Sequence, residues 1–262
     1  AVQEPSTSYA TMLVLALLCG LGGGNFASSM ANISFFFPKD RKGIALGLNA
    51  GLGNLGVSTM QFLVPLAITT SVFGALGGQP QVSAKGGPVW LQNAGFIWVP
   101  FIVASVAAAW FGMNDLASAR ASFREQAVVF RRKHNWIMCW LYTGTFGSFI
   151  GFSAGLPLLT KALFPGVNPM KFAFLGPLVG ALARPVGGWL ADRLGGARVT
   201  LWNFAAMAAF AAGVLAFLPR GGEPGSFPGF LALFLLLFAT SGIGNGSTFR
   251  MIPAMFATLH ER

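Results

Sequence analysis

Arg184 is the residue whose position in the sequence points most directly to chemistry. It stands 13 residues after Lys171 and 8 residues before Asp192, in a run that is otherwise apolar. At the 1.5 Å rise per residue of a helix, this position is about 12 Å from the nearer charged end. A guanidinium so deep in an apolar layer is costly, so it needs a group that compensates its charge.

The sequence supplies no acid at the depth of Arg184, because all seven Asp and Glu residues lie in loops or at the ends of apolar runs. We therefore expect Arg184 to bind a substrate anion. Its planar fork can donate two parallel hydrogen bonds to a planar oxyanion. Two alternatives stay open: helix carbonyls could hold Arg184 as a structural residue, or an acid outside these 262 residues could pair with it.

An aromatic pair and two asparagines could complete such a site. Tyr142 and Phe146 are four residues apart and therefore share one face of a helix. The spacing by itself favours a core or lipid-facing surface, with a pore wall as the alternative. Asn49 and Asn54 lie in a glycine-rich run, where their amides could reach a pathway.

The glycines of that run recur at helical spacing. This pattern predicts a ridge where another helix approaches closely, and it would let helices slide past each other. The residues are Gly43, Gly47 and Gly51, followed by Gly53 and Gly56.

Other kinds of site do not fit the residue types. His134 and His260 lie beside charge clusters, while Cys19 and Cys139 lie inside apolar stretches as small packing residues. We therefore expect no metal site, no disulfide framework, no cofactor and no catalytic residue. A membrane enzyme or a receptor stays a remote alternative, since no nucleophile, base or metal ligands cluster in the sequence.

The elements that must position these residues are membrane-spanning helices. The chain is 54% hydrophobic and 9% charged, with a mean hydropathy of +0.65, which excludes a water-soluble globular protein. A bilayer crossing needs about 20 apolar residues, and backbone groups in hydrocarbon must pair within a helix. The predicted spans are Thr11–Phe36, Gly43–Phe73, Val89–Phe111, Asn135–Leu159, Phe172–Leu190, Val199–Leu218 and Phe230–Phe249.

The Lys and Arg residues predict how these seven spans are oriented. Twelve of them lie in one set of alternate connections and four in the other. The positive-inside rule places the larger set in the cytoplasm and the N-terminal end outside. The net charge of +10 therefore fits a multi-pass protein of the cytoplasmic membrane, with the lipid bilayer as its partner and no nucleic acid.

We expect the chain to be a fragment of a longer transporter, because seven spans make a poor complete one. Residues 115–134 form the longest cytoplasmic connection and mix charged with apolar residues. They could form an interfacial helix that links two halves. The predicted organisation is residues 1–114 as the last three helices of one bundle, 115–134 as the linker, and 135–262 as the first four helices of a second bundle.

One loop carries a motif of a known family. The segment from Gly188 to Arg198 reads GWLADRLGGAR, with Asp192, Arg193 and Gly195 between two predicted spans. It resembles the loop motif of the major facilitator superfamily, G-x-x-x-D-R-x-G followed by basic residues. In physical terms, Asp192 can pair near helix ends while the glycines permit a tight turn. The alternative is a plain charged turn that obeys the positive-inside rule.

A longer resemblance covers almost the whole chain. The glycine- and asparagine-rich run from Gly22 to Ser58 resembles the nitrate signature of the nitrate/nitrite porters of that superfamily, the NarK type. Agreement continues through residues 110–116, 146–155 and 180–184. On the family's all-α plan of twelve helices, the seven spans resemble helices four to ten, so both ends would be missing.

The resemblance implies a carrier that moves nitrate and nitrite by alternating access. Because no carboxylate or histidine lies in the interior of the seven predicted spans, we expect nitrate/nitrite exchange, and we expect a monomer. The resemblance also implies an anion site whose substrate-binding residues are Arg184, Phe26, Asn54, Tyr142, Phe146 and, less directly, Asn49. Aromatic walls suit a weakly hydrated monoanion. Two alternatives stay open: a carrier for another small anion, such as a carboxylate or an organic phosphate, and proton-coupled import of nitrate.

Overall fold

The computed structural model describes residues 6–83, 86–114, 122, 124, 127–222 and 224–260, and these residues are almost entirely helical. Their helices are α1 (Tyr9–Phe36), α2 (Lys39–Ala67), α3 (Asn93–Phe96), α4 (Val99–Gly112), α5 (Lys133–Tyr142), α6 (Ser148–Leu163), α7 (Leu175–Leu194), α8 (Gly196–Val214) and α9 (Phe227–His260). Two short strands, β1 (Gln81–Val82) and β2 (Pro88–Val89), pair antiparallel between α2 and α3.

Six helical segments of the described chain are long and apolar enough to cross a membrane. They correspond to six of the seven predicted spans, and α5 and α6 together form one of them. The remaining predicted span, Gly43–Phe73, is the helix α2, which has 29 residues. It is long enough to cross, but its glycine, asparagine and glutamine residues make it less apolar than the other six.

The chain forms two compact units. The first unit contains residues 1–36 and 61–120, and the second contains residues 37–60 and 121–262, so α2 contributes to both. The predicted linker at 115–134 lies largely outside the described residues. Its described part includes a short 3-10 helix at Ala127–Arg131. The predicted division into bundles stays a prediction.

In the first unit, the connection from α2 to α4 is an ordered structure rather than a plain loop. Asn93 is fully buried, and its Nδ2 donates to the carbonyls of Ala67 and Thr70, which ties the end of α2 to α3. Gln92 donates to the carbonyl of Gly77 and accepts from Gln81 next to the β-hairpin. Side-chain amides thus satisfy backbone groups that the end of a helix leaves unpaired.

The second unit is built on α9, which packs against α5 to α8. Phenylalanines on α6 and α9 form its core and meet in edge-to-face and tilted pairs. Phe149 and Phe238 are both fully buried, with ring centroids 5.9 Å apart. In a membrane, such packing contributes van der Waals contact rather than a hydrophobic driving force.

The closest approach of two helices in the second unit is between α7 and α9, which run parallel. A Cβ on Gly187 of α7 would lie 2.6 Å from the Cα of Ile243, and one on Gly246 of α9 would lie 2.7 Å from the nitrogen of Gly188. Side chains at these positions would force the two backbones apart. The glycine ridge that the sequence analysis assigned to α2 therefore has a counterpart between α7 and α9, which that analysis did not identify.

Candidate functional site

Arg184 lies at the centre of α7 and is 2% exposed. Its Nη2 donates to the hydroxyl of Tyr142 at 3.4 Å, which is a long hydrogen bond. Its Nη1 is buried and has no hydrogen-bond partner among the described residues. Arg184 forms no ion pair among the described residues, so no described carboxylate compensates its charge.

Pro185 follows Arg184 inside α7, which continues as a helix through both residues. A proline inside a helix removes the hydrogen bond to the carbonyl four residues before it, here Ala181. Gly51 of α2 lies against this position, since a Cβ there would be 3.6 Å from the Pro185 ring and 3.8 Å from the Ala181 oxygen. The carbonyl that Pro185 cannot pair with is therefore covered by protein, as a membrane requires.

Tyr142 and Phe146 form one stacked pair beside Arg184. Their ring centroids are 5.3 Å apart with an interplanar angle of 11°, which confirms that the two residues share a face. Phe149 continues the stack, with its ring centroid 6.2 Å from that of Phe146. A π-helical turn at Thr143–Gly147 joins α5 to α6 at this point. Such turns are rare and occur often at functional sites.

Phe249 of α9 closes the other side of Arg184 and was missed by the sequence analysis. The guanidinium carbon lies 5.8 Å from the centroid of its ring, within the range of a cation–π interaction. The same ring lies 6.2 Å from that of Tyr142. No local pattern identified Phe249, because its contact with Arg184 depends on how α7 and α9 pack.

Asn245 is a second residue that the sequence analysis missed. It is fully buried on α9, and neither its Nδ2 nor its Oδ1 has a hydrogen-bond partner in the described part of the chain. A signal for it exists in the sequence, because it lies in the run Ser241–Thr248 (SGIGNGST), which is polar and interrupts an apolar span. An amide in the middle of a membrane helix is expensive and commonly functional.

Asn54 lies on the face of α2 that contacts α7. Gly51 packs against Pro185, and Ser58 donates to the carbonyl of Phe174 at 2.9 Å. Asn54 is three residues after Gly51 and four before Ser58, so it shares their face. It is 8% exposed, and its Nδ2 has no partner among the described residues. This placement fits the predicted contact with an anion, which the structure does not test.

Asn49 and Phe26 stay predictions. Asn49 is half-buried and lies two residues before Gly51. By helical geometry, Asn49 is therefore on roughly the opposite side of α2 from the face that contacts α7. Phe26 lies on α1 in the first unit, where it is 37% exposed.

The glycines of α2 differ in how closely other described atoms approach them. Gly51 has the contact described above, whereas a Cβ on Gly53 or Gly56 would have no described atom within 4 Å. Gly43 and Gly47 lie in the helix, but their surroundings are outside the described structure. A packing role for these four glycines therefore stays a prediction.

The loop motif joins the end of α7 to the start of α8. Gly195 has a φ of +88°, a conformation that favours glycine, so the predicted tight turn is confirmed. Asp192 forms an ion pair with Arg250 of α9.

The other residues of the motif have surroundings of their own. Arg193 lies 4.4 Å from the ring of Trp189, Arg198 is exposed in the first turn of α8, and a Cβ on Gly188 would meet no described atom within 4 Å.

Taken together, the side chains around Arg184 can bind a small planar anion. They offer a guanidinium with a free nitrogen, a hydroxyl, and flat aromatic faces that repel water but tolerate a delocalised charge. The described residues hold no group of three or more metal-ligating side chains.

Comparison with known proteins identifies the family of the chain. The model of the Major Facilitator Superfamily matches residues 2–262. The chain belongs to the major facilitator superfamily. This superfamily consists of carriers rather than enzymes, so the membrane-enzyme alternative is excluded. Its members are multi-pass membrane proteins, in agreement with the six long apolar helices.

Several curated relatives in this superfamily are similar to the chain. The nitrate/nitrite transporter NarU of Escherichia coli (strain K12) is 54% identical over 256 residues, which are 98% of this chain and 55% of that protein. NarU of Salmonella typhimurium is 53% identical over the same shares. The probable nitrate/nitrite antiporter NarK2 of Thermus thermophilus is 48% identical over 98% of this chain and 59% of that protein. The chain thus spans a little over half the length of these relatives.

Proposed function

We propose that the protein carries nitrate and nitrite across the cytoplasmic membrane by alternating access, as a nitrate/nitrite antiporter. The observation that carries this proposal is the buried guanidinium of Arg184, which has an unpartnered nitrogen and no described acid beside it. Such a charge is stable in a membrane interior when an anion occupies the site. The names of the similar relatives support nitrate and nitrite as the anions.

The aromatic side chains favour this class of anion over others. Tyr142 and Phe146 stack face to face, and Phe249 lies across from them. These faces cannot replace the water shell of a strongly hydrated, doubly charged anion such as sulfate. A delocalised monoanion loses less on leaving water, and its plane can lie parallel to an aromatic face. Selection against hydrated anions therefore follows from the aromatic walls.

Exchange of nitrate for nitrite is the simplest transport mechanism for this site, because it needs no coupled proton. The predicted spans contain no Asp, Glu or His in their interiors, and proton-coupled carriers commonly titrate such residues within the membrane. An empty site would leave Arg184 uncompensated while the carrier changes conformation. Conformational change should therefore be easier with an anion bound, which couples the exit of one anion to the entry of another.

The remaining predicted residues have supporting roles in this proposal. Asn54 donates to the anion from α2, and Phe26 and Asn49 line the pathway. The glycines of α2 let that helix slide, and the Asp192–Arg250 pair holds α7 to α9 at the cytoplasmic surface. The carrier works as a monomer.

A proteoliposome experiment tests the proposal on the full-length protein. Vesicles are loaded with nitrite or with inert buffer, and nitrate entry is measured with and without an imposed proton gradient. We expect rapid entry into nitrite-loaded vesicles and little into the others, whatever the gradient. Vesicles without protein give the background.

The same vesicles separate the alternatives. Strong gradient-driven entry into nitrite-free vesicles would show proton-coupled import and refute exchange. Competition by chlorate and nitrite but not by lactate is the expected selectivity. A protein that carries lactate and ignores nitrate would refute the assignment of the substrate.

A further inference from the structure

Asn245 differs from the polar residues around it because its amide has no hydrogen-bond partner in the described structure. Ser241 donates to the carbonyl of Phe238, Thr248 donates to that of Gly244, and Ser247 bonds to Thr200 of α8. These hydroxyls are satisfied within the helix or by its neighbour. Both polar atoms of Asn245 are buried without a partner among the described residues, which is costly for an amide.

The backbone next to Asn245 touches the backbone of Arg184. A Cβ on Gly246, the following residue, would clash with the carbonyl oxygen of Arg184 and lie 2.7 Å from the nitrogen of Gly188. Phe249, one turn after Asn245, faces the guanidinium at 5.8 Å. Helix side chains lean towards the N-terminus, so the ring of Phe249 covers the turn that carries Asn245.

Asn245 also lies on the aromatic face of α9. Residues 238, 242, 245 and 249 are spaced by four, three and four, so they form one stripe along the helix. Phe238 at one end of this stripe packs on Phe149, and Phe249 at the other end packs on Tyr142. The amide of Asn245 thus lies on the same face of α9 as the aromatic side chains of Phe238 and Phe249.

The unpartnered atoms of Asn245 and Arg184 complement each other. An amide oxygen accepts hydrogen bonds, and the free Nη1 of Arg184 donates them. The amide nitrogen is a donor, and a bound oxyanion offers acceptors only. One arrangement therefore satisfies all three groups: Oδ1 accepts from Arg184, and Nδ2 donates to an oxygen of the anion.

We propose that Asn245 is a specificity-determining residue of the anion site, and that it favours anions with three oxygens over anions with two. This inference rests on the proposed function. A planar trioxyanion such as nitrate can place two oxygens on the Arg184 fork and present the third to Nδ2 of Asn245. The bent dioxyanion nitrite uses both oxygens on the fork and has no third oxygen to present to Nδ2 of Asn245.

The test compares KM values for nitrate and nitrite in proteoliposomes that hold the full-length protein. Asn245→Leu removes the hydrogen bonds at similar volume, and Asn245→Ala removes them without any clash. A hydrogen bond to a charged group is lost, so we expect the KM for nitrate to rise about 10- to 100-fold and that for nitrite to rise less than about 3-fold.

Asn203→Leu is the matched control. Asn203 is another buried asparagine of the second unit, and its Nδ2 donates to the sulfur of Met207 on its own helix. This substitution should leave the ratio of the two KM values unchanged, because a structural defect affects both anions alike.

The outcomes separate the role of Asn245 from the proposed function. If wild-type protein carries neither anion, the proposed function is wrong. If wild type carries both, and the Asn245 variants raise the two KM values equally or not at all, the role of Asn245 is wrong. Failure of both variants to fold would assign the amide to the packing of α9 and would overturn the inference as well.

Discussion

Replacing Gly187 with alanine should destabilise the protein because it separates α7 from α9. A Cβ on Gly187 would clash with the carbonyl of Ile243 and lie 2.6 Å from its Cα. An ordinary carbon–carbon contact is about 3.5 to 4.0 Å, so the helices must part by about 1 Å. Neither atom belongs to a flexible side chain, so no rotamer change can relieve the clash.

Gly188→Ala provides the control, because a Cβ at that neighbouring position of α7 would meet no described atom within 4 Å. Both substitutions replace a helical glycine, so both gain about the same helix propensity, up to about 1 kcal/mol. That gain cancels in the comparison. The difference between the two variants then measures overpacking, which typically costs about 1 to 3 kcal/mol.

Unfolding of the full-length protein in mixed detergent micelles measures this difference. Wild type and the two variants are titrated with a denaturing detergent, and tryptophan fluorescence follows the transition. We expect Gly188→Ala to match or exceed wild type, and Gly187→Ala to unfold more easily than Gly188→Ala by about 1 to 3 kcal/mol.

The same pair of variants connects packing with transport. Gly187 is three residues from Arg184, so parting the helices should move the guanidinium away from Phe249. We expect Gly187→Ala to lower nitrate uptake in proteoliposomes more than Gly188→Ala does. Equal unfolding free energies for the two variants would refute the close contact between α7 and α9.

Three further predictions concern single side chains. Arg184→Lys should insert and fold normally but lose most nitrate uptake, since an ammonium keeps the charge without the fork, and wild-type uptake by this variant would exclude bidentate binding. Tyr142→Phe should change the ratio of the nitrate and nitrite KM values at normal expression, whereas Phe146→Ala should raise both KM values. If each substitution affected both anions identically, Tyr142 and Phe146 would have only a packing role. The pair Asp192–Arg250 is about half exposed, so a double-mutant cycle on unfolding should give a coupling of about 1 kcal/mol or less after screening by solvent, and a larger value would contradict its exposed position.

The burial of Arg184 could be predicted from the sequence because it depends on a local property. A charged residue in the middle of an apolar run is costly in any arrangement of the helices. The pairing of Tyr142 with Phe146 was equally local, since i and i+4 positions meet in any helix. The π-helical turn at Thr143–Gly147 was not foreseen, because it changes the backbone ladder without a distinct residue pattern.

The glycines show where local patterns stop being informative. Glycine spacing indicates that one face of a helix is small, and it does not say which helix approaches that face. The sequence analysis therefore chose α2, where the glycines are most regular. The closest approach within the second unit is between α7 and α9, and it was decided by how the helices of this unit pack.

The sequence by itself determined the membrane class, the superfamily, most of the helix positions and the residue that carries the buried charge. The superfamily was indicated by the resemblance of the loop motif and of the glycine- and asparagine-rich run. The other three follow from hydropathy, length and charge along the chain, which are the same in every arrangement of the helices. The tertiary structure alone decided that Phe249 faces Arg184. It also decided that Asn245, next to a glycine whose backbone lies against that of Arg184, is buried without a hydrogen-bond partner among the described residues. Both facts join residues about 60 positions apart, since residue 245 is 61 positions after residue 184. Such contacts depend on which faces of α7 and α9 meet, and periodicity within one helix does not encode that choice.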